Sequence, residues 1–433
     1  MKNFFKTAIV AILEKEAELV LKKYKPKIVA VTGSVGKTSA KDAIYSVLKT
    51  TYFVRKSEKS FNSEIGVPLT ILGCKNGWNN PFLWLQNIAY GLELILVKHD
   101  YPEWLVLEVG ADKPGDIKRV AAYVKPDVTV LTRFAKVPVH VEFFDGRDAV
   151  IREKGHLASA LKPTGTLILN ADDADVMRFK ETAKSKVLTF GLENPADVSA
   201  SNQRVAYEDK DEVRKPAGYT FKVDYRGNSV PIMINAAIGR QQIYPVLAAV
   251  AVGSALNINL VKIGEGLLSH LPPRGRMNVI DGIKQSFVID DTYNSSPVAL
   301  YEALDAFDSI EASGRKIAVL GDMLELGKFS AEEHRSAGER ISEAADMLVT
   351  VGVRAKGFAE GARAAKMDPT DIHEFEDSRK AGQWLQNVVG KGDIVLAKGS
   401  QSIRMERVVE EIMLKPELKK DLLVRQEEEW GKR

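Results

Sequence analysis

The stretch VAVTGSVGKTSAKDAI, residues 29–44, decides the fold. A β-branched run leads into a loop with two glycines, Gly33 and Gly36, then Lys37-Thr38-Ser39 and a helix-forming segment. Strand, glycine loop and helix N-terminus in that order build a phosphate cradle. Glycines let main-chain N–H groups approach phosphate oxygens, a lysine neutralises the β- and γ-phosphates, and a hydroxyl reaches magnesium. The pattern predicts that Gly33, Ser34, Gly36, Lys37, Thr38 and Ser39 bind a nucleoside triphosphate. The spacing Gly-x-x-Gly-Lys-Thr is two residues shorter than the usual Walker loop.

Outward from that loop, 433 residues are enough for two or three domains with their own cores. Basic residues number 61 against 58 acidic, a net +3, which is not the basic excess of a sequence-independent nucleic-acid binder. The single cysteine, Cys74, excludes an internal disulfide framework and fits a reducing, cytoplasmic compartment. The apolar run at the N-terminus is interrupted by Lys6 and ended by Glu14, too short to span a membrane, and no small-residue cleavage site follows. Residues 1–27 are expected to form an amphipathic helix with Leu13, Ala17, Val20 and Leu21 on one face. Packing against the body is the main expectation, and a peripheral membrane contact the lesser one.

Short β-branched runs alternate with helical periods along the rest of the chain. That alternation predicts an α/β protein: a P-loop central domain with a mostly parallel sheet, then a Rossmann-like C-terminal domain. Strands are expected at Lys27–Thr32, Trp104–Val109, Asp127–Thr132, Thr166–Asn170, Phe287–Asp290, Lys316–Leu320, Met347–Val351 and Asp393–Ala397. Residues 205–234 alternate around an Arg-Gly-Asn turn and predict an antiparallel patch. Residues 79–97 read as a buried or half-buried helix with Asn80 as N-cap and Pro81 in its first turn. The Pro/Gly-rich segment 270–282 divides the chain, giving a central domain 28–272 and a C-terminal domain 273–433. The tail, from residue 419, reads as a solvated helix.

Carboxylates and a histidine mark the same sheet edge. Glu108 closes an apolar strand, where it can reach magnesium beside the loop. His140 follows the strand Asp127–Thr132, and ligands gather outside the carboxyl ends of such strands.

The segments TGSVGKTS, FNSEIGVPLTIL, LEVGADKPGDI, VPVHVEFF, REKGHL, LNADD, DDTYNSSP, LGDMLELG and LAKGS occur in the order seen in Mur ligases. DDTYNSSP and GDMLELG resemble the MurF type, which joins D-alanyl-D-alanine to UDP-N-acetylmuramoyl-tripeptide. The resemblance runs from about residue 28 to about residue 410. It implies ATP-dependent amide formation in peptidoglycan synthesis through an acyl phosphate, with magnesium as cofactor. It further implies that Thr38 and Glu108 hold one magnesium and His140 a second. Lys154 matches a lysine that many members carry as a carbamate, whose oxygens support that metal. Arg276 matches an arginine that reaches the nucleotide phosphates, and Asp291 an acid that holds the ribose hydroxyls. Asn62, Asn294 and Lys398 lie in motifs expected to position substrates. By the same resemblance Lys37, His140 and Lys154 carry the catalysis, and closure of the two domains about 271–275 excludes water from the acyl phosphate.

Three departures qualify the expectation. About thirty residues precede Gly33, leaving no room there for the domain with which MurF-type ligases grip UDP; a partner chain supplying that recognition would answer the gap. Gln241, Gln242 and Pro245 stand where relatives show asparagine and histidine near adenine. Residues 75–103 form a longer link than usual. Alternative readings are a ligase acting on a lipid-linked muropeptide, adding glutamate or amidating another carboxylate, and a nucleotide-binding, non-catalytic partner subunit. Retention of Lys37, Glu108, His140 and Lys154, which repel or desolvate one another, argues against the last.

Overall fold

The computed structural model describes residues 2–58, 64–78, 80–134, 144–210, 213–427 and 430. The chain divides into two compact units, one of Met1–Ser201, Lys222–Ile232 and Tyr244–His270, the other of Asn202–Phe221, Met233–Ile243 and Leu271–Arg433.

The first unit opens with α1 (Lys2–Tyr24), β1 (Lys27–Thr32), α2 (Lys37–Leu48), β2 (Val54–Lys56), α3 (Gly66–Leu72) and α4 (Pro81–Leu96). It continues through β3 (Trp104–Glu108), α5 (Asp116–Tyr123), β4 (Val128–Leu131), α6 (Arg147–Ser159), β5 (Thr166–Asn170), α7 (Ala174–Thr182) and β6 (Lys186–Phe190). These strands are parallel in the order β2-β3-β1-β4-β5-β6. β1, β3, β4 and β5, inside the sheet, are buried on both faces, which is why they read as near-continuous apolar runs, whereas β2 at the edge is only half-buried. β1 lies between β3 and β4, so the chain leaves it at a switch point, where the crevice of an open α/β sheet forms. Long strands β7 (Val198–Lys210), β8 (Val213–Tyr225) and β9 (Asn228–Asn235) come next along the chain, most of β7 and β8 and the end of β9 belonging to the second unit. The turn between β8 and β9 has positive φ at both Arg226 and Gly227, the geometry a tight hairpin needs. Helices α8 (Ile243–Ala255) and α9 (Leu260–Leu268) complete the first unit.

In α1, Leu13, Ala17 and Val20 are fully buried and Leu21 partly so, the expected face. They share a core cluster with Trp84 and Leu94 of α4 and Leu69, Ile71 and Leu72 of α3. Asn80 caps α4 as expected, its side chain accepting from the N–H groups of Phe82 and Leu83. At the other end Lys23 donates to the carbonyls of Leu94 and Ile95, a cation on the negative end of the helix. α4 is half-buried: Trp84, Asn87, Gly91 and Leu94 face inward, while Phe82, Leu85, Leu92 and Leu96 are exposed. Among the described residues, no helix is long and apolar enough to cross a membrane.

The second unit carries β10 (Asn278–Asp281), β11 (Phe287–Asp291), α10 (Pro297–Asp308), β12 (Lys316–Gly321), α11 (Ser330–Ala344) and β13 (Met347–Val351). Then come α12 (Lys356–Ala364), β14 (Ile372–Phe375), α13 (Ser378–Val388), β15 (Ile394–Lys398), α14 (Glu406–Ile412) and α15 (Lys419–Leu422). Sheet order is β10-β11-β15-β12-β13-β14, with β10 antiparallel to β11 and the others parallel. The tail is not the solvated helix expected. α15 is a single turn, after which Leu423 enters the core cluster and Arg425 is only 8% exposed. An apolar residue that completes the core and an arginine paired inside it tie the segment down.

Candidate active site

Beyond β1 the chain turns through the phosphate loop. Gly33 has φ 150°, and a Cβ there would lie 2.0 Å from Thr132 Oγ1, so only glycine fits. Thr132, just after β4, donates from that hydroxyl to the carbonyls of Thr32 and Val35. The N–H of Ser34 donates to the Arg133 carbonyl at 2.6 Å. Gly36, at φ 81°, starts α2 in the left-handed region, so Lys37, Thr38 and Ser39 form the helix's first turn. The loop is thus pinned to the end of β4 and leads into a helix N-terminus, whose dipole favours anions.

Two buried lysines stand around it. Lys154 on α6 is 5% exposed, and its Nζ donates to the Gly33 carbonyl at 3.0 Å. Burial first, and then the charge of Lys37, push its amine down to about 7, against the opposing pull of Glu153 and Asp112. Its neighbour Glu153 is fixed elsewhere, accepting from the N–H groups of Gly115, Ile117 and Lys118 at the start of α5. Lys41, one turn along α2 from Lys37, is 1% exposed and donates to the Ser57 carbonyl at 2.9 Å. Its Nζ lies 3.4 Å from Asp42 and 3.9 Å from Glu108 Oε2, and burial lowers its pKa. Glu108 ends β3 and pairs in register with Val31, so its buried carboxylate sits beside the root of the loop.

Sequence reasoning singled out Lys154 and Glu108 but missed Lys41 and Glu153. The period of α2 could have found Lys41, since it shares a stripe with Ile44 and Leu48, both buried. Nothing in a lone Glu153 announces that it caps a different helix.

In the second unit β11 and β15 bring Asp291 and Lys398 into register as neighbours. Lys398 is 1% exposed; its Nζ pairs with Asp291 Oδ2 at 2.6 Å and donates to the Asn294 carbonyl at 3.0 Å. Asn294 Oδ1 accepts from the N–H of Gln401 at 3.3 Å. Asp290 is fully buried and accepts from the N–H and hydroxyl of Thr292. Burial pushes its carboxyl up to about 6. The guanidinium of Arg276 stacks 4.2 Å above the Tyr293 ring. Gln242 donates its amide to the Arg276 carbonyl at 2.7 Å, so that group serves the arginine's backbone.

The structure therefore brings Gly33–Ser39, Glu108 and Lys154 together in one unit and Arg276, Asp291, Asn294 and Lys398 together in the other. His140 and Asn62 lie outside the described residues. Among the described residues no three His, Cys, Asp or Glu side chains form a metal cluster. Thr38 and Glu108 are oxygen donors of the kind magnesium takes, with remaining positions left to water and phosphate.

Comparison with known proteins decides what such a pair of α/β units is. Residues 31–83 and 85–253 match the Mur ligase middle domain, and residues 275–401 match the Mur ligase, glutamate ligase domain. The chain belongs to the Mur ligase family. It is an ATP-dependent, amide-forming ligase. The UDP-N-acetylmuramoyl-tripeptide–D-alanyl-D-alanine ligase of Buchnera aphidicola is 30% identical over 91% of this chain and 78% of its own length. That of Bacillus subtilis is 27% identical over 93% of this chain and 79% of its own. The crystal structure of MurF ligase from Thermotoga maritima in complex with ADP is 28% identical, covering 95% of this chain and 84% of that one at TM-score 0.74. A pseudomurein peptide ligase from Methanothermus fervidus, 19% identical at TM-score 0.61, shares the Mur ligase fold.

Proposed function

We propose that this chain joins D-alanyl-D-alanine to a UDP-N-acetylmuramoyl-tripeptide, with ATP, as a cytoplasmic step of peptidoglycan synthesis. A carboxylate oxygen of the tripeptide attacks the γ-phosphorus of ATP, ADP leaves, and an acyl phosphate forms. The dipeptide amine then attacks the acyl carbon, loses a proton, and phosphate departs with the original carboxylate oxygen. Two anions must meet in the first step, so the residues that matter are cationic or donate N–H groups.

In this reading the N–H groups at the start of α2, over Lys37–Ser39, and the Lys37 ammonium hold the triphosphate, while Ser34 and Val35 give their N–H groups to the Arg133 carbonyl. Arg276 adds a cation for the phosphates and Asp291 accepts from the ribose hydroxyls. Lys398 acts through Asp291 and Asn294, since its ammonium is committed to both. Asn62 and Asn294 orient substrates. Thr38, Glu108, His140 and Lys154 as a carbamate would hold magnesium, which when bound supplies positive charge to the phosphoryl oxygens. Domains 28–272 and 273–433 are the functional halves.

The observation that carries the chemistry is Lys154. A lysine buried on the phosphate loop, with its amine near neutrality, has the lone pair that carbamate formation with carbon dioxide requires. An ordinary surface lysine does not.

The test is to label the acceptor carboxylate with ¹⁸O and read the released phosphate by mass. One label per phosphate is expected. Unlabelled phosphate accompanying product would rule out the acyl-phosphate route. ¹³C-bicarbonate should further give a carbamate resonance that Lys154→Met lacks.

A further inference from the structure

Arg425 belongs to a C-terminal segment that the reaction scheme leaves unused. The residue is buried, and its guanidinium faces the loop that follows β11. Nη1 donates to the Tyr293 carbonyl at 2.9 Å and Nη2 to the Thr292 carbonyl. On its other side Nε and Nη2 reach Glu406 Oε2 at 3.0 and 2.7 Å. Glu406 is fully buried and is held a second time by Arg404. The arginine thus fastens two consecutive carbonyls of DDTYN to a fixed carboxylate on α14, a use its planar fork suits and a lysine's point charge does not.

The same segment touches the neighbouring motif. Arg274 donates to the Lys420 carbonyl at 2.6 Å. A Cβ on Gly275 would lie 3.0 Å from Val424 Cγ1 and 2.9 Å from the Tyr293 nitrogen. The N–H of Tyr293 in turn donates to the Gly275 carbonyl at 3.1 Å. Three strands of chain are therefore packed edge to edge: PPRGRM, DDTYN and residues 420–425. Asp291 and Arg276 project from the first two, and Arg276 lies on the Tyr293 ring.

We infer that Arg425 is a positioning residue for the nucleotide, holding the 291–294 loop so that Asp291 meets the ribose hydroxyls. The inference rests on the proposed role of Asp291. Lys398 restrains that loop from the sheet side and Arg425 from the tail side.

Calorimetric titration with ADP and with 2′,3′-dideoxy-ADP tests it, on the wild-type chain, Arg425→Ala and Arg425→Lys. The lysine variant keeps a charge for Glu406 but loses the fork, so it separates positioning from folding; thermal melting confirms that each variant is folded. Wild-type protein should bind ADP more tightly than the dideoxy nucleotide. Both variants should lose about tenfold in ADP affinity, the worth of hydrogen bonds from a charged donor. Affinity for dideoxy-ADP should stay unchanged. Equal losses for both nucleotides, or no loss of ADP affinity in folded variants, would overturn the inference while leaving Asp291 in place. Wild-type protein indifferent to the missing hydroxyls would instead overturn the role of Asp291, and that of Arg425 with it.

Discussion

Lys154→Met isolates what it costs the fold to keep an ammonium beside the phosphate loop. The amine titrates near 7 in the folded protein, whereas an unperturbed lysine titrates at 10.5. At pH 7 about half of the folded molecules hold the amine neutral, against roughly one in 3,000 for an ordinary lysine. Between those two values the unfolded chain binds more protons at this position than the folded one, so stability must rise with pH. The contribution is complete above the unfolded value and is lost as pH falls through the folded one. Integrating both titrations from pH 7 to 9 gives about 2 kcal/mol gained by the native chain and absent from the methionine variant. Urea unfolding at pH 7, 8 and 9 measures it, in buffer freed of carbon dioxide so that no carbamate intervenes. The difference between native and variant stability should narrow or invert in favour of the native chain as pH rises. Curves that stay parallel over that range would refute burial of the Lys154 charge as its defining property, and with it the lone pair available to carbon dioxide.

Three further outcomes follow from the same geometry. Gly33→Ala puts a methyl group 2.0 Å from Thr132 Oγ1; it should cost about 1–3 kcal/mol of stability and weaken ADP binding at least several-fold by calorimetry. Lys398→Met leaves the buried Asp291 carboxylate without its cation and should cost about 3–5 kcal/mol in urea unfolding, partly recovered by adding Asp291→Leu. Asp290, raised from 3.8 to about 6, binds its proton more tightly folded than unfolded. Relative to Asp290→Asn, the native chain should therefore gain about 1 kcal/mol as pH falls from 7 to 5, read from unfolding curves at both values.

Much of this architecture was legible in the chain. Every expected strand forms within a residue or so of its expected ends, because strands buried on both faces of a parallel sheet are written as continuous apolar runs. β2 spans only Val54–Lys56 and β14, at a sheet edge, reads Ile-His-Glu-Phe; neither has the length or pattern that marks a strand. The phosphate loop was legible because its glycines and lysine are fixed by local geometry. Lys154 was marked only by the order of the family's motifs, and Lys41 and Arg425 not at all, as all three are charged residues on segments whose burial is decided by distant chain: Gly33, Ser57 and Thr292. Periodicity reports which face of a helix turns inward. It does not report that a cation on that face finds a carbonyl waiting there.

The central claim is the ligation itself. The direct measurement is the mass of the product, with ADP release, when ATP and D-alanyl-D-alanine are supplied with UDP-N-acetylmuramoyl-tripeptide, its lipid-linked form or a nucleotide-free muropeptide, and with single amino acids in place of the dipeptide. The account predicts one ADP per amide bond and a product heavier by D-alanyl-D-alanine less water on the UDP-linked tripeptide. Product only from another acceptor or amine, or none from any pair, would contradict it.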